Sequence, residues 1–184
     1  CGAAAAAAAW GAVRVEGAEA LAGVNRPELL PGTPGGSTPV IDAARILSPS
    51  QRRTIEEQIR EIEKAANIKL KVLAQTYPNT PGLAIRKYWN VDSCRGRQDR
   101  PQGVAGDDDT CRGDPSVVVY VHDTGGLGNA VVNFAVGKEA ETKKPLTFWR
   151  QVQNKYGNKF YIQDHGDADT VSDVVAALRD AFVQ

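Results

Sequence analysis

The chain has 184 residues, 42% of them hydrophobic and 24% charged, and its 22 basic side chains are matched by 22 acidic ones. A chain of this length buries roughly 70% of its unfolded surface around one core and needs no metal or disulfide framework to fold. Zero net charge removes the basic excess of nucleic-acid and anionic-membrane binders, and no window approaches the ~18 continuous apolar residues of a transmembrane helix.

In chain order, Cys1-Gly2 leads into Ala3 to Ala9, and the chain holds no Met. This reads as an end left by removal of a targeting segment. Two versions stay open: the alanine-rich lead of a secreted or organellar protein, or a lipid-carrying Cys1 of a bacterial-type lipoprotein. From Gly11 to Pro39 the sequence is rich in Gly, Ala and Pro, including Pro31-Gly32-Thr33-Pro34-Gly35-Gly36, and too broken for a core element. Residues 1–38 are therefore an extended arm, and residues 39–184 the folded domain.

The domain begins with a short strand at Pro39-Val40-Ile41. Ser48-Pro49-Ser50-Gln51 then supplies an N-cap, a first-turn Pro and a capping-box Gln. The helix that follows carries Ile55, Ile59, Ile62 and Ala66 on one stripe and ends near Asn67. Ile68, Leu70, Val72 and Ala74 alternate with Lys69 and Lys71, the period of a strand with one buried face. Thr80-Pro81 opens a shorter helix through Trp89. Ser116 to His122 is a β-branched and aromatic run, the mark of a strand covered on both faces. Thr124-Gly125-Gly126-Leu127-Gly128-Asn129 turns it into a second strand, Ala130 to Val136. Pro145 opens a helix stopped by Gly157, and Val171, Val174, Val175, Leu178 and Phe182 stripe a last helix from about Asp169. The order β-α-β-α-β-β-α-α predicts a single α/β sandwich with a mixed sheet and flanking helices.

Between the second helix and the third strand lies an insert, residues 93–114, rich in Gly, Arg and Asp and without hydrophobic period. Cys94 and Cys111 bracket it. A disulfide between them would pin the loop, stabilise by about 3 kcal/mol in the chain-entropy model and imply an oxidising compartment; two free thiols is the alternative. No second Cys or His stands at ligand spacing for zinc, and His122 and His165 are isolated in sequence.

The glycine cluster after the third strand lacks the Lys-Ser/Thr of a phosphate loop and reads as a hairpin turn. Asp107-Asp108-Asp109 lacks the turn Gly and the following Glu of a calcium loop and reads as solvated. Arg112-Gly113-Asp114 spells an adhesion tripeptide of the kind short matches produce by chance. His165-Gly166-Asp167-Ala168-Asp169 stands where the last helix needs an Asp cap. Asp42 and Asp123 follow the first and third strands, where sheets of this class gather sites, and together would hold one divalent cation. No other cofactor is expected. The arm and the insert, exposed and irregular, are the expected contact elements.

Val24-Asn25-Arg26-Pro27-Glu28-Leu29-Leu30, Val40-Ile41-Asp42, Leu47-Ser48, Lys71-Val72-Leu73-Ala74-Gln75, Thr80-Pro81-Gly82-Leu83-Ala84-Ile85 and Lys155-Tyr156-Gly157-Asn158-Lys159-Phe160-Tyr161 together resemble the plant and algal thylakoid-lumen 15 kDa-type proteins, a branch of the TPM-domain superfamily. The resemblance spans residues 23 to 183. It implies a TPM-like fold and residence in the chloroplast thylakoid lumen, a compartment that permits disulfides. It also implies a non-catalytic auxiliary role in photosystem II assembly or repair, peripheral to the membrane, with core subunits on the lumenal side as partners. Contact candidates are Val24, Asn25, Arg26, Pro27, Glu28, Leu29 and Leu30 in the arm and Arg95, Arg97 and Arg100 in the insert. The alternative it carries is a metal-dependent acid phosphatase, for which Asp42 transfers from the Asp-x-x-x-x-Leu-Ser start. The insert departs from the superfamily's Asn/Gly-rich lead into the central strand.

Overall fold

The computed structural model describes Leu30 and residues 38–76, 83–91, 113–125 and 131–183. The chain enters the sheet as β1 (Val40–Asp42) and reaches α1 (Pro49–Ala66), which starts as its sequence dictates. The Ser48 hydroxyl accepts from the Gln51 N–H at 3.2 Å while the Gln51 side chain accepts from the Ser48 N–H at 3.0 Å, so two orphan donors of the first turn are satisfied reciprocally. Ile55, Ile59 and Ile62 are buried, and the helix stops at Asn67, in the left-handed region at φ 54°, whose N–H bonds Glu63.

β2 (Lys69–Gln75), β3 (Val117–Asp123) and β4 (Val132–Val136) complete the sheet in spatial order β1-β2-β3-β4, with α2 (Leu83–Tyr88) following β2 in the chain. The first three strands are parallel, and β4 turns back antiparallel to β3. Alternation along the strands builds two cores. On one face Val40, Leu70, Val72, Val118, Tyr120, Val132 and Val136 meet α1, α4 (Leu146–Tyr156) and α6 (Asp167–Phe182). On the other, Ile41, Leu73, Val117, Val119, Val121 and Ala135 meet Ile85, Tyr88, Trp89 and Val91. Both faces of β3 are buried along its whole length.

The α/β sandwich expected from the pattern is thus present, with two additions. α3 (Lys138–Lys143) buries only Ala140, and α5 (Lys159–His165) buries no residue; neither carries an apolar stripe for periodicity to register. Gly137 before α3 is required by crowding, since a Cβ there would lie 2.4 Å from the Pro115 carbonyl oxygen. Among the described residues no helix is long and apolar enough to cross a membrane.

Leu30 overturns one expectation. Proposed as a partner contact, it is 4% exposed and packs into the second core with Ile85, Trp89 and Val121. A short α2 cannot cover that face alone, and a leucine side chain from the arm fills part of the remainder. Leu30 is therefore a core residue and unavailable to a partner. Leu30→Ala is expected to cost about 2–4 kcal/mol, read as a lower denaturant midpoint with an unchanged slope; an unchanged midpoint would remove Leu30 from the core.

Candidate functional site

The carboxyl ends of β1, β2 and β3 are the place where an open α/β sheet gathers ligands, and the chain puts Asp42, Gln75 and His122-Asp123 there. Asp42 spends its carboxylate on the turn into α1. Oδ1 accepts from the Ile46 N–H at 3.1 Å and Oδ2 from the Leu47 N–H at 2.9 Å. Immediately before these donors Arg45 sits in the left-handed region at φ 56°, a conformation that costs a non-glycine residue free energy. The carboxylate offsets that cost by holding both donors, which gives the Asp-x-x-x-Ile-Leu-Ser spacing a structural reason.

Asp123 is fully buried. Its Oδ1 accepts from the Gly125 N–H at 3.1 Å and its Oδ2 from the Gln75 side-chain amide at 3.3 Å. Gly125 belongs to a close approach, since a Cβ there would stand 2.9 Å from the Thr76 carbonyl oxygen; residues 126–130 of the glycine cluster lie outside the described residues. The joint cation site expected of Asp42 and Asp123 does not form. Asp42 pairs in register with Ala74 and Ala74 with His122, so β2 separates the two carboxylates and the pleat points them to opposite faces of the sheet.

The histidine on that row has partners the sequence conceals. His122 is fully buried, with Nδ1 3.0 Å from the Tyr120 hydroxyl and Nε2 2.8 Å from Asp167 Oδ1. Burial, reinforced by the Asp167 charge, pushes the Tyr120 phenol well above its ordinary pKa, so the hydroxyl stays a donor. The tautomer that satisfies every group has Tyr120 donating to Nδ1 and Nε2–H donating to Asp167. The arrangement resembles a proton relay, but no substrate reaches an imidazole with no exposed surface. It straps the end of β3 to the start of α6.

That strap also corrects the expected Asp cap. The N-cap of α6 is Gly166, at φ 82°, with no side-chain cap bond. Asp167 is taken by His122, and Asp169 accepts from the Gln51 amide at 2.8 Å, tying the first turn of α6 to that of α1. Both carboxylates still lie in the first turn, where the helix dipole favours them. The Tyr120–His122 half was legible as two residues apart on one strand face; Asp167, 45 residues on, carried no such signal.

The base of the insert is clasped by Asp114. Asp114 and Val91 form a parallel bridge, and the Asp114 N–H bonds the Asn90 carbonyl at 2.6 Å. Asp114 Oδ2 pairs with Lys69 at 2.6 Å, while Oδ1 accepts from the Ser116 N–H and hydroxyl at 2.9 and 2.6 Å. The acidic residue of the adhesion-like tripeptide is thus engaged within the fold. Cys94, Cys111, Arg95, Arg97, Arg100, Asp107 to Asp109 and Val24 to Leu29 lie outside the described residues.

No family model matches the chain. It is 38% identical over 161 residues, 88% of its length, to thylakoid lumenal 15.0 kDa protein 2, chloroplastic, of Arabidopsis thaliana, and it spans 60% of that protein's length. Its fold is shared with the solution NMR structure of the N-terminal domain of a protein from P. gingivalis. The TM-score is 0.57 at 16% identity, covering 84% of this chain and 89% of that one.

Two expectations follow from the geometry. Asp42→Ala leaves two backbone donors without their acceptor and is expected to cost about 2–3 kcal/mol, with Asp42→Asn recovering part of it; equal stability of all three proteins by chemical denaturation would rule out the capping role. For the clasp, burial alone would raise the Asp114 carboxyl, but Lys69 and Ser116 together hold it below its ordinary value. The hydrogen bond and charge of Asp114 raise Lys69 above its own. The Asp114 contribution is complete above an unfolded pKa of about 3.9 and is lost as pH falls through the lower folded value. That of Lys69 is complete below its unfolded pKa of about 10.4 and is lost as pH rises through the higher folded one. Wild type and Lys69→Met should differ by less than about 1 kcal/mol, as solvent screening requires. The gap should be flat from pH 5 to 9 and close toward pH 3.

Proposed function

We propose that this chain, similar over 88% of its length to a thylakoid lumenal 15.0 kDa protein, resides in the lumen of the chloroplast thylakoid and acts there as an auxiliary factor that docks on photosystem II, or on an assembly or repair intermediate of it, without catalysing a reaction. The observation that carries this reading is the fate of the ionisable groups at the sheet's carboxyl ends. Asp42 holds a turn, Asp123 a buried amide and a backbone N–H, and His122 a helix. Groups already committed to backbone and neighbours favour a rigid scaffold over a reaction centre. In the same reading the fold is that of the TPM domain, and the partners are core subunits on the lumenal side.

The scaffold would present two segments, the arm up to Leu29 and the insert 93–114. Leu30 anchors the first and the Asp114–Val91 bridge closes the second at the sheet. Both anchors lower the ordering cost of a contact, because each segment is tied to a defined point of the domain. A Cys94–Cys111 disulfide, suited to an oxidising lumen, belongs to the same proposal.

Affinity purification of the tagged protein from gently solubilised thylakoids tests the role. Photosystem II core subunits are expected with it, enriched in complexes lacking the extrinsic oxygen-evolving proteins, and a variant lacking residues 10–29 is expected to recover fewer of them. Alkylation of the same material without reduction should leave Cys94 and Cys111 unmodified. Recovery of the protein alone would end the docking reading, and full alkylation would end the disulfide.

A further inference from the structure

The corner between α4 and α5, Lys155-Tyr156-Gly157-Asn158-Lys159-Phe160-Tyr161, is only half explained by the fold. Tyr156 is buried, its ring set edge-on to Tyr161 at 5.1 Å. Gly157 ends α4 where a Cβ would lie 2.6 Å from the Gln153 carbonyl oxygen. Asn158 caps α5, its side-chain oxygen accepting from the Phe160 N–H at 2.9 Å, and Tyr161 donates to Asp173 at 2.6 Å. Those four residues build the corner.

Lys155, Lys159 and Phe160 do not. Phe160 is 72% exposed, and α5 buries none of its residues. The Lys155 ammonium lies 4.8 Å from the Tyr156 ring centroid on one side of the turn, and Lys159 opens α5 on the other. Residues 153–163 hold these two lysines and no carboxylate. Of the nearest acidic groups, Asp164 stands one helical turn beyond Phe160, and Asp173 is engaged by Tyr161.

We propose that this corner is a protein-docking knob: Phe160 enters an apolar pocket of a partner protein whose rim is acidic, and Lys155 and Lys159 pair with that rim. The proposal deepens the docking role above and rests on it for where the partner is sought, the lumenal surface of the thylakoid. A buried aromatic anchor in a pocket is how interface energy concentrates, and complementary rim charges speed and orient the encounter. A corner fixed by a glycine stop, an asparagine cap and a tyrosine–carboxylate bond loses little freedom on binding. The same features disfavour a lipid surface as the occupant. A helix of seven residues with one protruding ring and two lysines offers little apolar area and charge to a bilayer, and a fluid surface gains nothing from rigid geometry.

The test compares the full chain with Phe160→Ala and with the double variant Lys155→Glu/Lys159→Glu, three proteins expected to melt within about 2 °C of one another because the altered side chains are exposed. Binding is measured to inside-out thylakoid vesicles, to photosystem II core particles, and to protein-free liposomes of thylakoid lipids. The expected result is a loss of about tenfold in vesicle affinity for each variant, salt sensitivity that the double variant loses, and no binding to liposomes. Equal vesicle binding by all three proteins would overturn the knob while leaving docking in place. Liposome binding that Phe160→Ala abolishes would overturn it in favour of a membrane contact. Phe160-dependent binding to vesicles but not to core particles would keep the knob and remove photosystem II as its partner. No binding of wild type to any of the three would overturn both.

Discussion

β3 contributes seven residues to the sheet and none of them reaches solvent, so the domain has to cover the sheet twice. One cover is thick: α1, α4 and α6 lay isoleucine, valine, leucine and tryptophan side chains over it. The other is thin, a six-residue helix and the turn after it assisted by Leu30. The imbalance explains why a residue from the Gly- and Pro-rich arm is drawn into the core. It also explains the clasp at Asp114, where the chain returns from its insert directly into this strand. Burying β3 to its last residue carries two polar side chains inside, His122 to one face and Asp123 to the other. Each is costly without partners, and the surrounding polar architecture supplies them.

Those partners differ in reach. Asp123 is satisfied close by, from the turn that follows it and from Gln75 on the neighbouring strand. His122 requires the start of the last helix. Through Asp167 the end of β3 is joined to α6, and through Asp169 and Gln51 α6 is joined to α1. A single row of side chains therefore connects the sheet with both long helices at the edge where sheets of this class hold ligands. Among the described residues, the Asp42, His122 and Asp123 side chains of that edge are engaged in assembling the domain.

What could be read in advance follows from this division between local and distant causes. α1 was legible because its cap, its proline and its stripe of Ile55, Ile59 and Ile62 are written within eighteen residues. β3 was legible because a run of β-branched residues has few other uses. α5 was not, since a helix that buries nothing has no period to show. Leu30 was misread because one leucine in a broken segment looks the same whether it faces a core or a partner. The pairing of Asp42 with Asp123 failed on geometry: strand ends are visible in sequence, but the face on which each side chain emerges depends on register across β2, which only the folded sheet supplies. The Asp expected to cap α6 was drawn off by a histidine 45 residues earlier, and a helix with glycine at its N-cap tolerates that loss at modest cost.

A domain that commits its buried polar groups to its own assembly leaves recognition to what the fold does not need. The turn around Asp42 shows the contrast at one place: the Asp is held by two backbone donors, while Arg45 just before them is exposed and accepts an unfavourable φ. The α4–α5 corner shows it at another, where the buried Tyr156 and Gly157 and the capping Asn158 are structural and Lys155, Lys159 and Phe160 are not. Rigid placement of unneeded side chains is the arrangement that binding favours, because the ordering cost is met when the chain folds rather than when the partner arrives. The zero net charge points the same way. With no net charge to steer the molecule as a whole, selectivity falls to local patches of fixed shape and sign.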